Sequence, residues 1–251
     1  MNVLLQGGLG NTMFQWAFGR SLSLRRGLPL SFDRSELDKD QKRKYRLDCY
    51  DIDVPIDNTT PRPIYTEKGC PYDSGTETAA GHSKFIGYWQ TEKYFNVDAV
   101  RAAFSRPRGT SNAATQDIVS RIDDKSVFIH ARRGDFTAPS LANILGCYPP
   151  EYYQAAMTKF PVGTKFFAFS DDPEWCRKHM PAAEIVDVNQ ESGMECWDIW
   201  LMNQFPAGII SNGSFSWWSA WLGREKRVIA PKVWFTGLDY RDCVPERWER
   251  L

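Results

Sequence analysis

The sequence predicts an α/β fold of two Rossmann-like lobes, and three observations carry that expectation. The chain opens as strand, glycine-rich turn, helix and strand. Its second half returns to a regular strand–helix alternation. Between them lies Arg106-Pro107-Arg108-Gly109-Thr110-Ser111-Asn112, the strongest linker candidate. The division expected is therefore 1–110 and 111–251. At 251 residues and 42% hydrophobic content, the chain can bury a core in each half.

Residues 3–6 form a short apolar run that stops at Gly7-Gly8, as a buried strand does. Asn11 is placed to cap a helix running to about residue 26, with Phe14, Ala17, Phe18, Ser21 and Leu22 on one face. Gly27 falls at the C′ position. A second strand over 28–32 ends at Asp33. The stretch 35–81 is polar, rich in proline and weakly periodic, so long loops with short elements are expected there. Residues 85–89 read as a strand and 91–104 as a helix. In the second half, strands are expected at 126–131, 165–170, 185–188, 207–211 and 227–230. Helices are expected at 152–160, 173–179, 195–203 and 216–223.

Composition removes several classes of function. Lys+Arg and Asp+Glu are equal at 31 each, which argues against nucleic acid as a partner. Mean hydropathy is −0.47, and no apolar run approaches the roughly 20 residues of a membrane span, so no integral membrane segment is expected. The opening Met1-Asn2-Val3-Leu4-Leu5-Gln6 lacks the basic and apolar regions of a signal peptide, and a cytoplasmic protein with free thiols is expected. The six cysteines form no C-x-x-C pair and the three histidines lie far apart. Asp51-Ile52-Asp53 has a metal-binding spacing but a loop-like setting, so no metal site is expected.

Four strand-to-helix turns carry candidate chemistry. In Gly7-Gly8-Leu9-Gly10-Asn11, glycines permit close backbone approach at a helix N-terminus. A dinucleotide fingerprint would need a third glycine where Met13 stands, although Asp33 is suitably placed for a ribose. A structural turn and a ligand-approach loop using Gly8, Gly10 and Asn11 both remain open. His130-Ala131-Arg132-Arg133-Gly134-Asp135 follows a strand and is dense in donors. Arginine suits bidentate phosphate recognition, though the same run can be an ordinary surface ion-pair turn. Asp135 can orient an arginine or act as a base. In Ser170-Asp171-Asp172-Pro173, one carboxylate can accept from guanine N1–H and the 2-amino group while the other caps a helix. Ser211-Asn212-Gly213-Ser214-Phe215-Ser216 precedes Trp217 and Trp218, giving a phosphate-compatible helix start or a plain cap over a tryptophan core. Together they fit a crevice that holds a sugar nucleotide.

Read in order, Gly7–Asn11 with Met13-Phe14-Gln15, Gly87-Tyr88-Trp89-Gln90 with Glu92-Lys93-Tyr94-Phe95, His130–Asp135, Phe169–Asp172, Ser211–Trp221 and Val228-Ile229-Ala230-Pro231 resemble glycosyltransferase family 11, the α-1,2-fucosyltransferases. The resemblance spans nearly the whole chain. It implies a GT-B fold, with two facing Rossmann-like domains and a donor cleft between them, the first domain on the acceptor side. It implies metal-free, inverting transfer of fucose from GDP-β-L-fucose to a sugar 2-hydroxyl, commonly of galactose, on a glycan or lipid-linked glycan. No cofactor is implied beyond the donor substrate. Arg132 and Asp135 become the catalytic candidates. Donor binding is expected from Gly8, Gly10, Asn11, His130, Arg132, Arg133, Asp171, Asn212, Ser214, Phe215 and Ser216. Arg132 is implied to bind the β-phosphate and Asp171 to read guanine. Thr12 and Gly213 depart from the usual family residues, glutamine and a hydroxyl residue. The chain resembles the soluble bacterial or viral members, cytoplasmic with or without peripheral membrane contact. The oligomeric state is not implied.

Overall fold

A computed structural model describes residues 1–59, 62–81, 83–137, 146–189, 191, 193–223 and 226–251. The chain separates into two compact units. Unit 1 is Met1–Arg108 with Asp239–Pro245; unit 2 is Gly109–Leu238 with Glu246–Leu251. The expected second half thus lends residues 239–245 to unit 1.

Unit 1 contains a parallel sheet of β1 (Asn2–Leu4), β2 (Ser31–Asp33), β3 (Ile64–Thr66) and β4 (Lys84–Ile86) in the order β2-β1-β4-β3. The long helix α1 (Leu9–Arg26) starts at Gly8 rather than at the expected cap Asn11. It ends with Gly27 left-handed at φ 63°, where the Gly27 N–H reaches Ser23 O. Phe14, Phe18 and Leu22 of α1 are fully buried, and Phe18 stacks on Trp89 at 4.1 Å. Within the sheet, Lys84 forms a buried ion pair with Asp33, whose other oxygen accepts the Ser35 N–H at 2.7 Å. Both oxygens of Asp33 are thereby used inside the fold, which removes the ribose-binding reading. A helical turn at Ser35–Lys39 (α2) and one at Val97–Ala103 (α3) complete the α-helices of this unit among the described residues. Asn96 caps α3 by accepting the Ala99 N–H at 3.1 Å, so the expected 91–104 helix divides there. The returning segment is fixed by Asp242, which pairs with Lys93 at 2.6 Å and accepts the Tyr72 N–H at 2.8 Å.

Unit 2 opens with α4 (Ala113–Arg121), capped by Asn112. Its parallel sheet comprises β5 (Ser126–Ala131), β6 (Lys165–Ser170), β7 (Ala183–Ile185), β8 (Ala207–Ile210), β9 (Arg227–Ala230) and β10 (Glu249–Arg250). Their spatial order is β10-β9-β8-β5-β6-β7, the strand order of a doubly wound Rossmann sheet. The chain winds one way from β5 and the other way from β8, so the order reverses between those two strands. A helix reaching one face from each side leaves an opening at their C-terminal ends. The helices are α5 (Pro150–Met157), α6 (Pro173–His179), α7 (Glu195–Asn203) and α8 (Ser214–Trp221).

Alternation along β5 assigns its two faces. Val127, Ile129 and Ala131 join Tyr152, Tyr153 and Ala156 of α5 in one apolar cluster. Phe128 and His130 project to the opposite face, where Phe205 lies 6.1 Å from Phe128 and Phe215 lies 5.3 Å from His130. Trp217, Trp218 and Trp221 of α8 are buried together, which makes them core. None of the six cysteines is joined in a disulfide.

Candidate functional site

The reversal of strand order in unit 2 is where four chain segments end together. β5 delivers His130 and Arg132, β6 delivers Ser170 and Asp171, β8 delivers Ser211, and α8 delivers Phe215 and Ser216. His130 is buried, and its Nδ1 shares a 2.5 Å hydrogen bond with Ser216 Oγ. Ser216 Oγ is 3.0 Å from Ser211 Oγ, which accepts the Arg132 backbone N–H at 3.1 Å. Burial, helped by the nearby Arg132 charge, depresses the imidazole to about 3, so His130 is neutral at physiological pH.

Arg132 carries the positive charge of the site. Its guanidinium contacts Asp171 Oδ2 at 2.6 Å and lies 5.5 Å over the Phe136 ring. The second Asp171 oxygen accepts the Arg133 N–H at 2.8 Å. A side chain at position 134 would collide with that carboxylate, so glycine is required for Asp171 to sit against the turn. Ser170 ties the two strand ends, donating to Ala131 O at 2.7 Å and accepting the Asp172 N–H at 3.0 Å.

Arg133 is differently employed. Its guanidinium stacks at 4.2 Å on Trp175 and donates to Asp172 at 3.1 Å, while Asp172 caps α6 through the Trp175 N–H. Asn212 is buried and donates to Trp234 O at 3.2 Å. Ser214 is the first residue of α8, a helix with Gly213 at φ 135° before it and no side-chain cap. The side chain of Asp135 lies outside the described residues.

A cavity of about 270 Å³ opens here, lined by His130, Arg132, Asp171 and Phe215. Part of its wall carries no signal in the sequence: Asn189 after β7, and Glu195, Asp198 and Met202 from α7. These three α7 residues recur at i, i+3 and i+7, one face of the helix. Asn189 is buried and donates through Nδ2 to Asp198 Oδ1 at 2.8 Å. Burial pushes the Asp198 carboxyl up to about 7, against the lowering effect of that hydrogen bond; neighbouring Glu195 and Asp187 add to the rise. The cavity therefore joins a guanidinium to a set of acceptors. Among the described residues, no three His, Cys, Asp or Glu side chains gather as a metal set.

In unit 1 the neighbouring strands β1 and β4 bring together the two loops that follow their C-terminal ends. Gly8 caps α1 without a side-chain bond and Gly10 is buried in its first turn. Asn11 Oδ1 accepts from Gln90 Nε2 at 2.9 Å. Gln15 locks the two loops, accepting the Gln6 N–H at 3.0 Å and donating to Gly87 O at 3.0 Å. The Arg43 guanidinium lies against Gly8.

Two parallel-sheet units, one with an arginine-bearing cavity at its strand reversal, define the architecture of a GT-B glycosyltransferase. Comparisons with known proteins refine that class. The model of glycosyl transferase family 11 matches residues 76–237. An alpha-1,2-colitosyltransferase of Escherichia coli is 32% identical, over 98% of this chain and 97% of its own length. The chain therefore belongs to glycosyltransferase family 11 and is a glycosyltransferase. Among solved structures, the alpha-1,6-fucosyltransferase NodZ, from crystals soaked with GDP-fucose, shares the fold. Its TM-score is 0.57 at 15% identity, covering 94% of this chain and 96% of its own. A family 9 glycosyltransferase from Veillonella parvula gives a TM-score of 0.50 at 13% identity, covering 100% and 84%. No helix among the described residues is long and apolar enough to cross a membrane.

Proposed function

We propose that the protein transfers L-fucose from GDP-β-L-fucose to the 2-hydroxyl of a galactoside, with inversion and without a metal. The observation that carries this reading is the Arg132 guanidinium, oriented by Asp171 at the mouth of the unit 2 cavity. A departing diphosphate develops negative charge on its bridging oxygen, and a fixed donor there lowers the barrier. The open N-terminus of α8 adds backbone N–H groups of the same polarity. The acceptor oxygen bonds to the anomeric carbon as the bond from that carbon to the phosphate oxygen breaks. The hydroxyl proton passes to Asp135 or to a diphosphate oxygen.

The guanine ring is assigned to the α7 side. Both Asp171 oxygens already hold the Arg132–Arg133 turn, which supports a positioning role for this residue. Asp198 spends one oxygen on Asn189 and lines the cavity, where it can accept from guanine N1–H and the 2-amino group. Neutral His130, buried against Ser216, supports the nucleotide by shape and hydrogen bonding. Arg133 and Asn212 brace the two turns.

A second reading, colitosyl transfer, is favoured by the Escherichia coli relative. Colitose is fucose without its 3-hydroxyl, so both donors need the same nucleotide pocket. The test is transfer from GDP-fucose and from GDP-colitose to a panel of galactosides, with and without EDTA, with the linkage read by NMR. The expected result is an α-1,2 linkage that survives EDTA. Loss of transfer on chelation, or a donor bearing another nucleotide, overturns the reading.

A further inference from the structure

Aromatic residues make up 14% of the chain, yet among the described residues Tyr88 is the single exposed one, at 43%. It stands in the Gly87–Gln90 motif, which the nucleotide cavity does not use, in the loop that follows β4 of unit 1. The backbone there is held against its preference. Trp89 has φ 57°, a conformation bulky L-residues avoid, and its indole is fully buried on Phe18. Glu67 imposes the turn, accepting the Tyr88 N–H at 2.7 Å and the Trp89 N–H at 2.9 Å. A side chain at position 87 would collide with Glu67, so only glycine lets the clamp close. The result turns Trp89 inward and leaves Tyr88 in solvent, two residues before Gln90, whose amide donates to Asn11.

We propose that Tyr88 is the platform on which a pyranose ring of the acceptor stacks, with Glu67 as the residue that positions it. This rests on the glycosyl-transfer reading above. A transferase needs a second substrate site, and unit 1 offers the two loops after β1 and β4, locked together by Gln15. A flat exposed ring meets the C–H face of a sugar, while neighbouring side-chain amides suit its hydroxyl groups. The clamp that buries Trp89 also fixes the backbone from which Tyr88 projects, and a platform needs such a fixed orientation.

The experiment is initial-rate kinetics of Tyr88→Ala, Tyr88→Phe and Glu67→Gln with galactoside acceptors, beside GDP affinity by calorimetry. Tyr88→Ala should raise the acceptor KM about tenfold while the donor KM and GDP affinity stay at wild-type values. Tyr88→Phe, which keeps the ring, should retain the wild-type acceptor KM. Glu67→Gln should raise the acceptor KM with a smaller change in kcat. An acceptor KM unchanged in Tyr88→Ala overturns the platform. If the wild type transfers sugar from no donor, the functional reading has failed instead. Saturation-transfer NMR with methyl β-galactoside then still decides the platform: a signal lost in Tyr88→Ala supports it, and one retained overturns it.

Discussion

Both units are built on parallel sheets, and the loops that follow their central strands carry opposite chemistry. Unit 2 places a guanidinium–carboxylate pair, a neutral buried imidazole and an uncapped helix start where its strand order reverses. Unit 1 places glycines, linked amides and an exposed phenol ring in the loops after β1 and β4, with Arg43 against Gly8. Its strongest charge pair, Lys84–Asp33, is sunk inside the sheet instead. The residues that follow the strands, more than the sheets themselves, set the chemistry each unit can offer a ligand. A diphosphate calls for fixed positive charge, whereas an uncharged sugar calls for a flat face and amide groups.

The comparison is most exposed to Arg132→Ala. Removal of one such donor typically costs about 3 kcal/mol, a loss of a hundredfold or more in turnover. Circular dichroism should be unchanged, and near-normal turnover would contradict the assignment of unit 2 to the leaving group. Lys84→Met tests the opposite placement of charge in unit 1. It strands a buried carboxylate, so urea unfolding should show a loss of roughly 3 kcal/mol, with GDP affinity in the folded protein kept.

Asp198 gives a smaller effect with a definite sign. Burial pushes its carboxyl up to about 7, and guanine needs the ionised form. GDP affinity should therefore fall about tenfold from pH 8 to pH 6, and Asp198→Asn should abolish that dependence and weaken discrimination between GDP and ADP. The stability effect runs the other way. A raised carboxyl costs stability as pH climbs from 4 through 7, so Asp198→Asn should melt higher than the wild type at pH 8 without nucleotide. Smaller again, Ser216→Ala removes one hydrogen bond to His130 and should weaken GDP binding several-fold, about 1 kcal/mol by calorimetry.

What the sequence disclosed follows from how local each signal is. β5, β6, α6, α7 and β9 fall where the apolar runs and the Asp-Pro cap put them. α4 was unforeseen although Asn112 caps it, since only Thr115 and Ile118 of its residues are buried and no apolar stripe announces it. β3 and β10 lie at sheet edges with two or three mostly exposed residues, too few for a period. At the site, Arg132 and His130 were legible because a strand end is a local feature. Asp198 was not: an acid in the first turn of a helix is ordinary dipole compensation, and only the tertiary packing of α7 brings it to the cavity wall.

The excursion of residues 239–245 into unit 1 has a practical corollary for anyone exchanging parts between relatives. A splice at the 108/109 junction alone would pair one parent's Lys93 and Tyr72 with the other parent's counterpart of Asp242. A hybrid that also transplants that seven-residue loop keeps both anchors from one ancestor. The sensible unit of recombination is therefore discontinuous, two cuts near the tail in addition to the one at the middle.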